Sequence, residues 1–327
     1  MRRLAGRRAL VTGASSGIGA ATAQLLAREG ADVALLARGD GLREVAARAA
    51  AEGAHTIELR ADVGDRVALE AAIADGVSRL GGLDIAVVAA AAGAFGRFQE
   101  IPPEDFDRCV RVSFGGAVDT IRAVLPHLER SAGTLVVVGS AADTIDLPLL
   151  SPYVAAKHAL DGFLGSLRAE LRAVGSPVSV SVVRPGAVDT PFWRHLTHPG
   201  RLSPPQIPAL AAYTAGTVAQ AVVGCAIEPR RSVTVGGSTV LLQRAQTVAR
   251  PALERAFGVA ARVAHARAAP SDTPQALWEP SGDGSLGGGL GGRRSLVAAA
   301  RLGRPRTGDR RRARRPRRGL RDGGGAR

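Results

Sequence analysis

A glycine-rich turn between a buried strand and a helix restricts the fold of this 327-residue chain more than any other feature. Residues 8–12 are apolar enough for a buried strand, and residues 20–28 have the composition of a helix. Between them stand Gly13, Gly17 and Gly19, spaced Gly-x-x-x-Gly-x-Gly. Glycines here let the main chain approach a pyrophosphate, which then rests on the amides and positive dipole end of the helix. The segment therefore predicts a dinucleotide-binding site.

Apolar, strand-like runs alternate with amphipathic helical segments over most of the remaining sequence. This alternation is typical of an α/β fold, in which helices cover both faces of a parallel sheet. We therefore predict a Rossmann-type doubly wound parallel sheet of about seven strands, with ligands at the carboxyl ends of the strands. The expected strands lie near residues 8–12, 32–37, 55–59, 84–90, 134–139, 178–184 and 232–236. The expected helices lie near residues 17–29, 40–52, 65–80, 103–129, 152–174 and 205–228.

Composition divides the chain into three parts. Residues 1–237 are expected to form the α/β domain. Residues 238–268 carry apolar side chains at helical spacing among several arginines, so we expect a basic amphipathic helical extension, kinked or split at Pro251. Its apolar face is expected to pack on the domain, and binding to a membrane surface or a partner is the alternative. Residues 269–327 are rich in Gly, Pro and Arg and are expected to be a disordered tail.

The net charge of +14 comes almost entirely from that tail. Residues 293–327 contain fourteen arginines and two aspartates, which leaves about +2 for the rest of the chain. The arginines could contact nucleic acid or an anionic membrane through phosphate neutralisation, without base specificity because residues 293–327 contain no aromatic side chain. A solvated tail and an altered reading frame in a GC-rich gene are the simpler alternatives, and together they are favoured.

A tyrosine and a lysine mark a second candidate site. The chain has 43 basic residues, yet Lys157 is its only lysine, and it follows Tyr153 by four positions. On a helix these positions face the same side, so a phenol and an ammonium would share one space. The cation is expected to lower the tyrosine pKa toward the range of a general acid or base. For this short pattern taken alone, a half-buried tyrosine beside a solvated lysine is the alternative.

Taken together, the motifs over roughly residues 5–240 resemble the classical branch of the short-chain dehydrogenase/reductase family. Their order and spacing match that family, although several of them are weak individually. The matching segments are Thr12-Gly13-Ala14-Ser15-Ser16-Gly17-Ile18-Gly19, Asp62-Val63, Ser140, Tyr153-Val154-Ala155-Ala156-Lys157, Arg184-Pro185-Gly186 and Thr190-Pro191.

The resemblance implies an NAD(P)-dependent oxidoreductase that transfers a hydride between nicotinamide and a carbonyl or secondary alcohol. It implies that Tyr153 exchanges a proton with the substrate oxygen, that Ser140 donates a hydrogen bond to that oxygen, and that Lys157 binds the nicotinamide ribose. A homodimer or homotetramer, formed through the helices near 103–129 and 152–174, is also implied. The implied cofactor contacts are Gly13, Ser15, Ser16, Gly17, Ile18, Gly19, Arg38, Asp62, Val63, Ala90, Tyr153, Lys157, Pro185, Gly186, Val188 and Thr190.

Two departures from the family pattern both remove asparagine, a residue that this chain lacks entirely. The segment Ala90-Ala91-Ala92-Gly93 replaces the family's Asn-Asn-Ala-Gly, and Ser113 stands where a catalytic asparagine is usual. Ser113 is kept as a candidate catalytic residue, since its hydroxyl could hold a water. Replacement of Asn in a GC-rich genome is the favoured explanation. Decay of catalysis, leaving a nucleotide-binding regulator with weak turnover, is the alternative.

Cofactor choice depends on the end of the second expected strand, about twenty residues after the glycine turn. An acidic side chain there would bind the adenine ribose 2′-hydroxyl, whereas an arginine would attract a 2′-phosphate. This chain has Arg38, so NADP(H) is expected, with NAD(H) as the alternative because Asp40 is close by. Arg38 could instead cover the adenine or point to water.

The substrate is expected to be apolar. The segment between Ser140 and Tyr153 contributes aliphatic side chains at 145, 147, 149 and 150, and Phe192 and Trp193 follow the sixth strand. A ketone, alcohol or steroid-like ring would suit such a lining, although packing beneath a lid is the alternative.

The remaining residues point to no further chemistry. Cys109 and Cys225 lack metal-site spacing, and His195 and His198 lack further ligands, so no metal is expected. No run of eighteen apolar residues occurs, and the basic start is not followed by a long apolar region, so neither a spanning helix nor a secretion signal is expected. The cytoplasm is therefore the expected location.

Overall fold

A seven-stranded parallel sheet forms the centre of the computed structural model, which describes residues 2–198, 212–266, 276–281 and 284–289. Two short strands pair separately beside the main sheet. The strands are β1 Arg8–Thr12, β2 Asp32–Ala37, β3 Thr56–Arg60, β4 Ile85–Val88, β5 Thr134–Val138, β6 Ser179–Pro185, β7 Val188–Asp189, β8 Tyr213–Thr214 and β9 Ser232–Val235. The α-helices are α1 Gly17–Arg28, α2 Gly41–Ala51, α3 Arg66–Leu80, α4 Pro103–Val110, α5 Gly116–Ser131, α6 Ser151–Ala173, α7 Ala215–Ile227 and α8 Gly237–Ala266.

The strand order β3-β2-β1-β4-β5-β6-β9 confirms the predicted doubly wound arrangement. β1 pairs in parallel with both β2 and β4, so the direction of winding reverses between β1 and β4. In sheets of this type the crevice at the carboxyl ends of these two strands is the usual place for a ligand. The glycine turn follows β1 directly, and residues 89–92 follow β4.

Successive side chains of the strands enter two separate cores, one on each face of the sheet. In β1, Ala9 and Val11 pack with α1, α2 and α7, whereas Leu10 packs on the opposite face with α3, α5 and α6. All four residues of β4 and all five of β5 are buried. Burial on both faces explains the continuous apolar runs in the sequence, because neither face of these strands contacts water.

Two predicted helices differ from the structure. The expected helix over 103–129 is divided by a π-helical turn, Arg111–Gly115, which separates α4 from α5. The expected helix over 205–228 begins only at Ala215, because the two residues before it form β8 and Thr214 caps α7 by accepting a hydrogen bond from the Thr217 amide. Its first part lies outside the described residues.

The C-terminal helical extension is present as α8. Ala249 has non-helical dihedral angles (φ −138°, ψ 35°), so the helix is kinked two residues before Pro251, as the proline predicts. Beyond its first turns much of its apolar surface faces solvent: Leu241 is 70% and Val248 84% exposed. The expected packing of its apolar face is therefore only partial. Among the described residues, no helix combines the length and the apolarity that crossing a bilayer requires.

Part of the expected disordered tail packs against the domain. Residues 276–281 and 284–289, which we call the strap, lie along the nucleotide side of the sheet, and Leu277 is only 1% exposed. These residues make contacts with distant parts of the chain, which the sequence did not indicate. The remainder of 269–327 lies outside the described residues.

Candidate functional site

The glycine turn after β1 has a backbone that side chains would obstruct. Gly13 has φ +68°, and a Cβ there would lie 2.7 Å from the Ala90 nitrogen. Gly17 has φ +55°, and a Cβ on Gly19 would collide with the Gly13 carbonyl. The turn therefore packs directly on the end of β4 and leaves the first amides of α1 facing the crevice.

The predicted tyrosine and lysine lie in the first two turns of α6. Lys157 is buried, and its Nζ donates to the carbonyl of Val138, the last residue of β5, at 3.0 Å. The same Nζ lies 5.6 Å from the centroid of the Tyr153 ring. Ser140 follows β5 by two residues, and its hydroxyl is close enough to the Tyr153 phenol to lower the pKa of that group. The Ser140 Oγ also accepts from the Ala142 amide at 3.1 Å, which fixes its position.

Burial has the largest effect on the pKa values of Tyr153 and Lys157. It raises the pKa of Tyr153 to about 12, against the opposing effect of the Ser140 hydroxyl. Burial likewise lowers the pKa of Lys157 to about 8, although the negative charge of Asp143 acts in the other direction. The expected lowering of the tyrosine pKa by the ammonium is therefore not found in this structure, because removal from water outweighs it.

Asp143, which sequence reasoning missed, lies beside the pair. It is 4% exposed, and its Oδ2 accepts from Arg184 Nε at 2.8 Å. Burial raises the pKa of Asp143 despite the nearby Arg184 charge, and its Oδ1 has no hydrogen-bond partner among the described residues. Arg184 also pairs with Asp161. The position of Asp143 three residues after Ser140 was the only signal in the sequence, and nothing there indicated its partner.

One cavity of about 650 Å³ joins the glycine turn to the tyrosine. It is lined by Ser140 and by every residue predicted to contact the cofactor. Those lining residues are Gly13, Ser15, Ser16, Gly17, Ile18, Gly19, Arg38, Asp62, Val63, Ala90, Tyr153, Lys157, Pro185, Gly186, Val188 and Thr190.

Ser113 is not among the residues that line the cavity. It is fully buried in the π-helical turn, where its Oγ donates to the Ala92 carbonyl at 2.7 Å and accepts from the Ala92 amide at 2.9 Å. Both contacts tie the turn to the segment after β4. The structure thus brings Ser140, Tyr153 and Lys157 together and leaves Ser113 outside the group.

The far half of the cavity is apolar. Phe192 packs on Tyr153 with ring centroids 5.2 Å apart and meets Trp193 edge to face at 5.6 Å. Trp193 donates its Nε1–H to the Val188 carbonyl at 2.9 Å, which fixes the indole on the rim. The other apolar or aromatic lining residues on this side are Phe95, Ile145, Leu147, Pro148, Leu150 and Leu242.

The two candidate histidines do not form a metal site. His195 lines the cavity and contacts Ser281 of the strap, whereas His198 is 3% exposed. Among the described residues, no group of three or more His, Cys, Asp or Glu side chains could hold a metal ion. Cys109 and Cys225 are both buried free thiols.

A cluster of two arginines and one aspartate lies at one end of the cavity, which Arg38 and Asp62 line and Arg108 does not. Arg38 Nη1 lies 3.3 Å from Asp62 Oδ2, and Arg108 pairs with the same carboxylate oxygen. Burial opposes ionisation of Asp62, but hydrogen bonds from Gly64 and Arg108 and the charges of both arginines hold its pKa below the usual value. Arg108 was missed because it lies on α4, where an arginine reads as an ordinary solvated helix residue.

The strap closes the edge of this cluster. Arg38 donates to three consecutive strap carbonyls, those of Ala276, Leu277 and Trp278, at 2.9, 3.3 and 3.1 Å. Trp278 donates its Nε1–H to Asp105 on α4 at 2.7 Å. Ala276 and Ser281 line the cavity, so the strap forms part of its wall.

The strap also reaches the glycine turn. The Gly17 amide donates to the Ser285 carbonyl at 2.8 Å, and the Gly284 amide donates to the Ser15 carbonyl at 3.1 Å. Further along, the Gly288 amide donates to Asp189 Oδ1 at 2.7 Å. A short Gly/Ser-rich segment thus runs along the face of the turn that a dinucleotide would use.

The arrangement fits a nicotinamide dinucleotide. The glycine turn provides a cradle that a Cβ would fill, the helix α1 amides point into the crevice, and the cavity continues from Arg38 to Trp193. The phenol of Tyr153 and the hydroxyl of Ser140 lie in the same cavity, where they could exchange a proton with an oxygen of a substrate.

Comparison with known proteins agrees with this geometry. The short chain dehydrogenase family model matches residues 7–199. The chain is 33% identical over 239 residues to the uncharacterized oxidoreductase YxnA of Bacillus subtilis (strain 168), covering 72% of this chain and 67% of that protein.

Two solved structures are similar over the whole domain. An alcohol dehydrogenase from Thermococcus sibiricus complexed with 5-hydroxy-NADP has a TM-score of 0.62 and 29% identity, covering 70% of this chain and 95% of that one. A short chain dehydrogenase from Mycobacterium paratuberculosis bound to NAD has a TM-score of 0.64 and 27% identity, covering 73% and 99%. The motifs, the sheet order and these matches together show that the chain belongs to the short-chain dehydrogenase/reductase family of oxidoreductases.

Proposed function

We propose that this protein transfers a hydride between NADP(H) and a carbonyl or secondary alcohol of an apolar substrate, with Tyr153 as general acid or base. The observation that carries the proposal is the placement of Ser140 and Tyr153, with Lys157 one helical turn further along α6, in the wall of the cavity that begins at the glycine turn. Positioned acid or base groups of this kind typically accelerate proton transfer by about 10²–10⁴-fold.

Each member of the group has a distinct task in the proposed reaction. Tyr153 gives a proton to the substrate oxygen in reduction and takes it back in oxidation. Ser140 donates a hydrogen bond to the same oxygen and stabilises the negative charge that develops there. Lys157, held by the Val138 carbonyl, orients the ribose next to the nicotinamide and keeps a positive charge near the phenol. When bound, the dinucleotide supplies or accepts the hydride.

NADP(H) is favoured over NAD(H) because Arg38 stands at the end of β2 and lines the cavity. Arg108 adds a second guanidinium within the same cluster, and only Asp62 opposes the two within it. Phosphate is the anion that a pair of guanidinium groups binds best, through charge-assisted hydrogen bonds. The solved relatives are bound to either cofactor, so the preference rests on these side chains.

An apolar substrate is favoured by the lining beyond Tyr153. Phe192, Trp193, Phe95 and Leu150 supply aromatic and aliphatic surface, and the polar groups converge on one point near the phenol. Such a site orients a ketone by its single oxygen and leaves the rest of the molecule in apolar contact. Aliphatic, aromatic and polycyclic ketones form the panel on which this should be tested.

Replacement of Tyr153 by Phe tests the mechanism. We expect Tyr153→Phe to lower kcat for ketone reduction by about 10²–10⁴-fold, because the proton donor is lost, while the Kd for NADPH stays within a few-fold. NADPH consumption and NADPH fluorescence measure the two quantities. Tyr213→Phe, at the only other tyrosine, is the control and should keep full activity. Unchanged turnover in Tyr153→Phe would refute the role given to the phenol.

A nucleotide-binding regulator with weak turnover is the second candidate, and the position of Ser113 favours it. Both hydrogen-bonding directions of the Ser113 hydroxyl are used by the Ala92 main chain. A serine held in this way is poorly placed to take over a proton relay. Tight NADPH binding without turnover on the whole panel, with activity gained in Ser113→Asn, would support the regulator.

We also expect a homodimer or homotetramer that uses the outer faces of α4, α5 and α6, with the cytoplasm as its location. Phe163 on α6 and Phe114 pack edge to face at 6.4 Å, and both remain partly exposed. Light scattering on the purified protein tests the assembly, and a monomer at micromolar concentration would contradict it.

A further inference from the structure

The hydrogen-bond donors of Arg38 are largely used by the strap. Its Nη2 donates to the Ala276 carbonyl, and its Nη1 is shared among Asp62 and the carbonyls of Leu277 and Trp278. Arginine has five N–H groups in a fixed fork, so few remain for another acceptor. The fork that would hold a 2′-phosphate is thus engaged by peptide oxygens.

Arg108 is engaged in the same way. Its Nε donates to the Leu277 carbonyl at 3.3 Å, and its guanidinium lies over the Trp278 ring at 5.4 Å from the centroid. Two guanidinium groups therefore share the neutral Leu277 carbonyl and the single charge of Asp62. The cluster keeps a net positive charge that peptide carbonyls do not neutralise.

We propose that the strap competes with the 2′-phosphate of the adenosine for Arg38 and Arg108, and thereby determines how strongly the protein distinguishes NADP(H) from NAD(H). The inference rests on the proposed function, since it assumes that this cavity binds a dinucleotide. Carbonyl and phosphate oxygens are both acceptors and compete for the same N–H groups. Binding of a 2′-phosphate therefore requires that residues 276–278 move off the arginines.

The charge of the phosphate makes the exchange favourable. Hydrogen bonds between ionised partners are roughly twice as strong as those to neutral carbonyls. A dinucleotide without the 2′-phosphate gains no such contact, so it leaves the strap on Arg38 and Arg108. The contact between the Gly17 amide and the Ser285 carbonyl affects both dinucleotides alike, because the pyrophosphate is common to them.

Two neighbouring strap glycines provide a matched pair of variants. A Cβ on Gly288 would collide with the main-chain carbonyl of Thr190 and lie 2.8 Å from its carbon, so Gly288→Ala should dislodge the strap. A Cβ on Gly287 meets only Asp189 Oδ2, at 3.8 Å, so Gly287→Ala should leave the strap in place. Both variants add one methyl group to a strap glycine, so they differ only in the atoms that this methyl group meets.

Calorimetry with 2′,5′-ADP and 5′-AMP measures the effect without any turnover. We expect Gly288→Ala to increase the affinity for 2′,5′-ADP about three- to tenfold more than the affinity for 5′-AMP, the range of one net hydrogen bond, because release of the Gly17 amide affects the two ligands alike. Gly287→Ala should match the native chain for both ligands. Equal gains for the two ligands, or no gain for 2′,5′-ADP, would overturn the proposal.

Hydrogen exchange on the native chain gives a second test that needs no variant. We expect 2′,5′-ADP, and not 5′-AMP, to speed exchange of the Trp278 indole N–H, because its hydrogen bond to Asp105 is released when residues 276–278 move. Unchanged or slower exchange with 2′,5′-ADP would contradict the competition. If neither NADPH nor NADH binds, the proposed function fails and this inference with it. If both bind and are turned over while the two glycine variants behave alike, only the competition is refuted.

Discussion

At the scale of single residues, Asp143 acts electrostatically on both proposed catalytic side chains, Tyr153 and Lys157. Its buried carboxylate raises the pKa of Lys157, opposing the larger effect of burial, and adds to the rise in the pKa of Tyr153 that burial causes. Arg184 holds it in place at 2.8 Å. Asp143 is thus a positioning residue whose charge sets the pH range in which the pair works, without lining the cavity itself.

We expect Asp143→Asn to move the pH profile of kcat/KM to lower pH. Loss of the negative charge removes an influence that raises both pKa values, so each group gives up its proton at lower pH than before. Initial rates of ketone reduction between pH 5 and 10 measure the shift.

Asp161→Asn is the control for this change. Asp161 pairs with the same Arg184, but its charge is not among the causes that shift Tyr153 or Lys157. Its pH profile should match that of the native chain. A profile that moves to higher pH in Asp143→Asn, or equally in both variants, would rule out the electrostatic role.

At the scale of elements, α6 carries the catalytic pair in its first turns and leaves glycines exposed further along. A Cβ on Gly162 would meet nothing within 4 Å. Glycine within a helix is less favourable than alanine by about 1 kcal/mol, because its unfolded chain has more freedom to lose. The helix therefore tolerates two glycines, Gly162 and Gly165, that lower its own stability.

Gly162→Ala is expected to raise Tm by about 2–4 °C, the shift that 1 kcal/mol produces in a domain of this size. Differential scanning calorimetry measures it. Gly116→Ala, in α5, is the matched control and is expected to lower Tm, because its Cβ would lie 2.8 Å from the Val63 carbonyl. A fall in Tm for Gly162→Ala would instead mean that another subunit packs closely on this part of α6, and light scattering would then show weaker assembly.

The regular elements could be predicted because their signals are local. Each strand of the main sheet overlaps its predicted range, since burial on both faces gives continuous apolar runs. The π-helical turn could not be predicted, because residues 111–115 have a helical composition and the distortion accompanies the bonds of Ser113 to Ala92, 21 positions away. Separation in sequence also hid the role of Ser113 and the contact between Asp143 and Arg184, which are 41 positions apart.

The strap was missed for a related reason. Leu277 and Trp278 stand among Gly, Pro and Ser, so no periodic pattern marks them as buried. They are held by hydrogen bonds from Arg38 and Arg108, which come from the end of β2 and from α4. The residues that line the cavity beside the glycine turn could be predicted where short motifs contain them. The contacts of the strap could not, because they join segments that meet only in the folded chain.

At the scale of the whole molecule, the chemistry and the charge lie in different parts of the chain. The described residues that line the cavity end at 281, whereas residues 293–327 hold about +12 of the net +14. Interactions with a polyanion scale with the number of phosphates or sulfates neutralised and weaken steeply with salt. The two properties should therefore be separable.

A chain that ends at Gly292 is expected to keep kcat/KM and the Kd for NADPH within about twofold. It should elute from heparin at a lower salt concentration than the full chain, because most of the positive charge is removed. The truncation retains every residue of the cavity and the strap. Salt-gradient elution and NADPH consumption measure the two effects. Unchanged retention on heparin would mean that the anion-binding surface lies on the domain.

The single lysine has a practical consequence for anyone working with this protein. Lys157 is the only side-chain amine in the chain, it lines the cavity, and its pKa is lowered to about 8. At mildly alkaline pH much of it is the free amine, which is the form that acylating and aldehyde reagents attack. The label on Lys157, separated from that on the α-amine by peptide mapping, would then report on the cavity, and its rate of attachment would fall as a ligand fills the site.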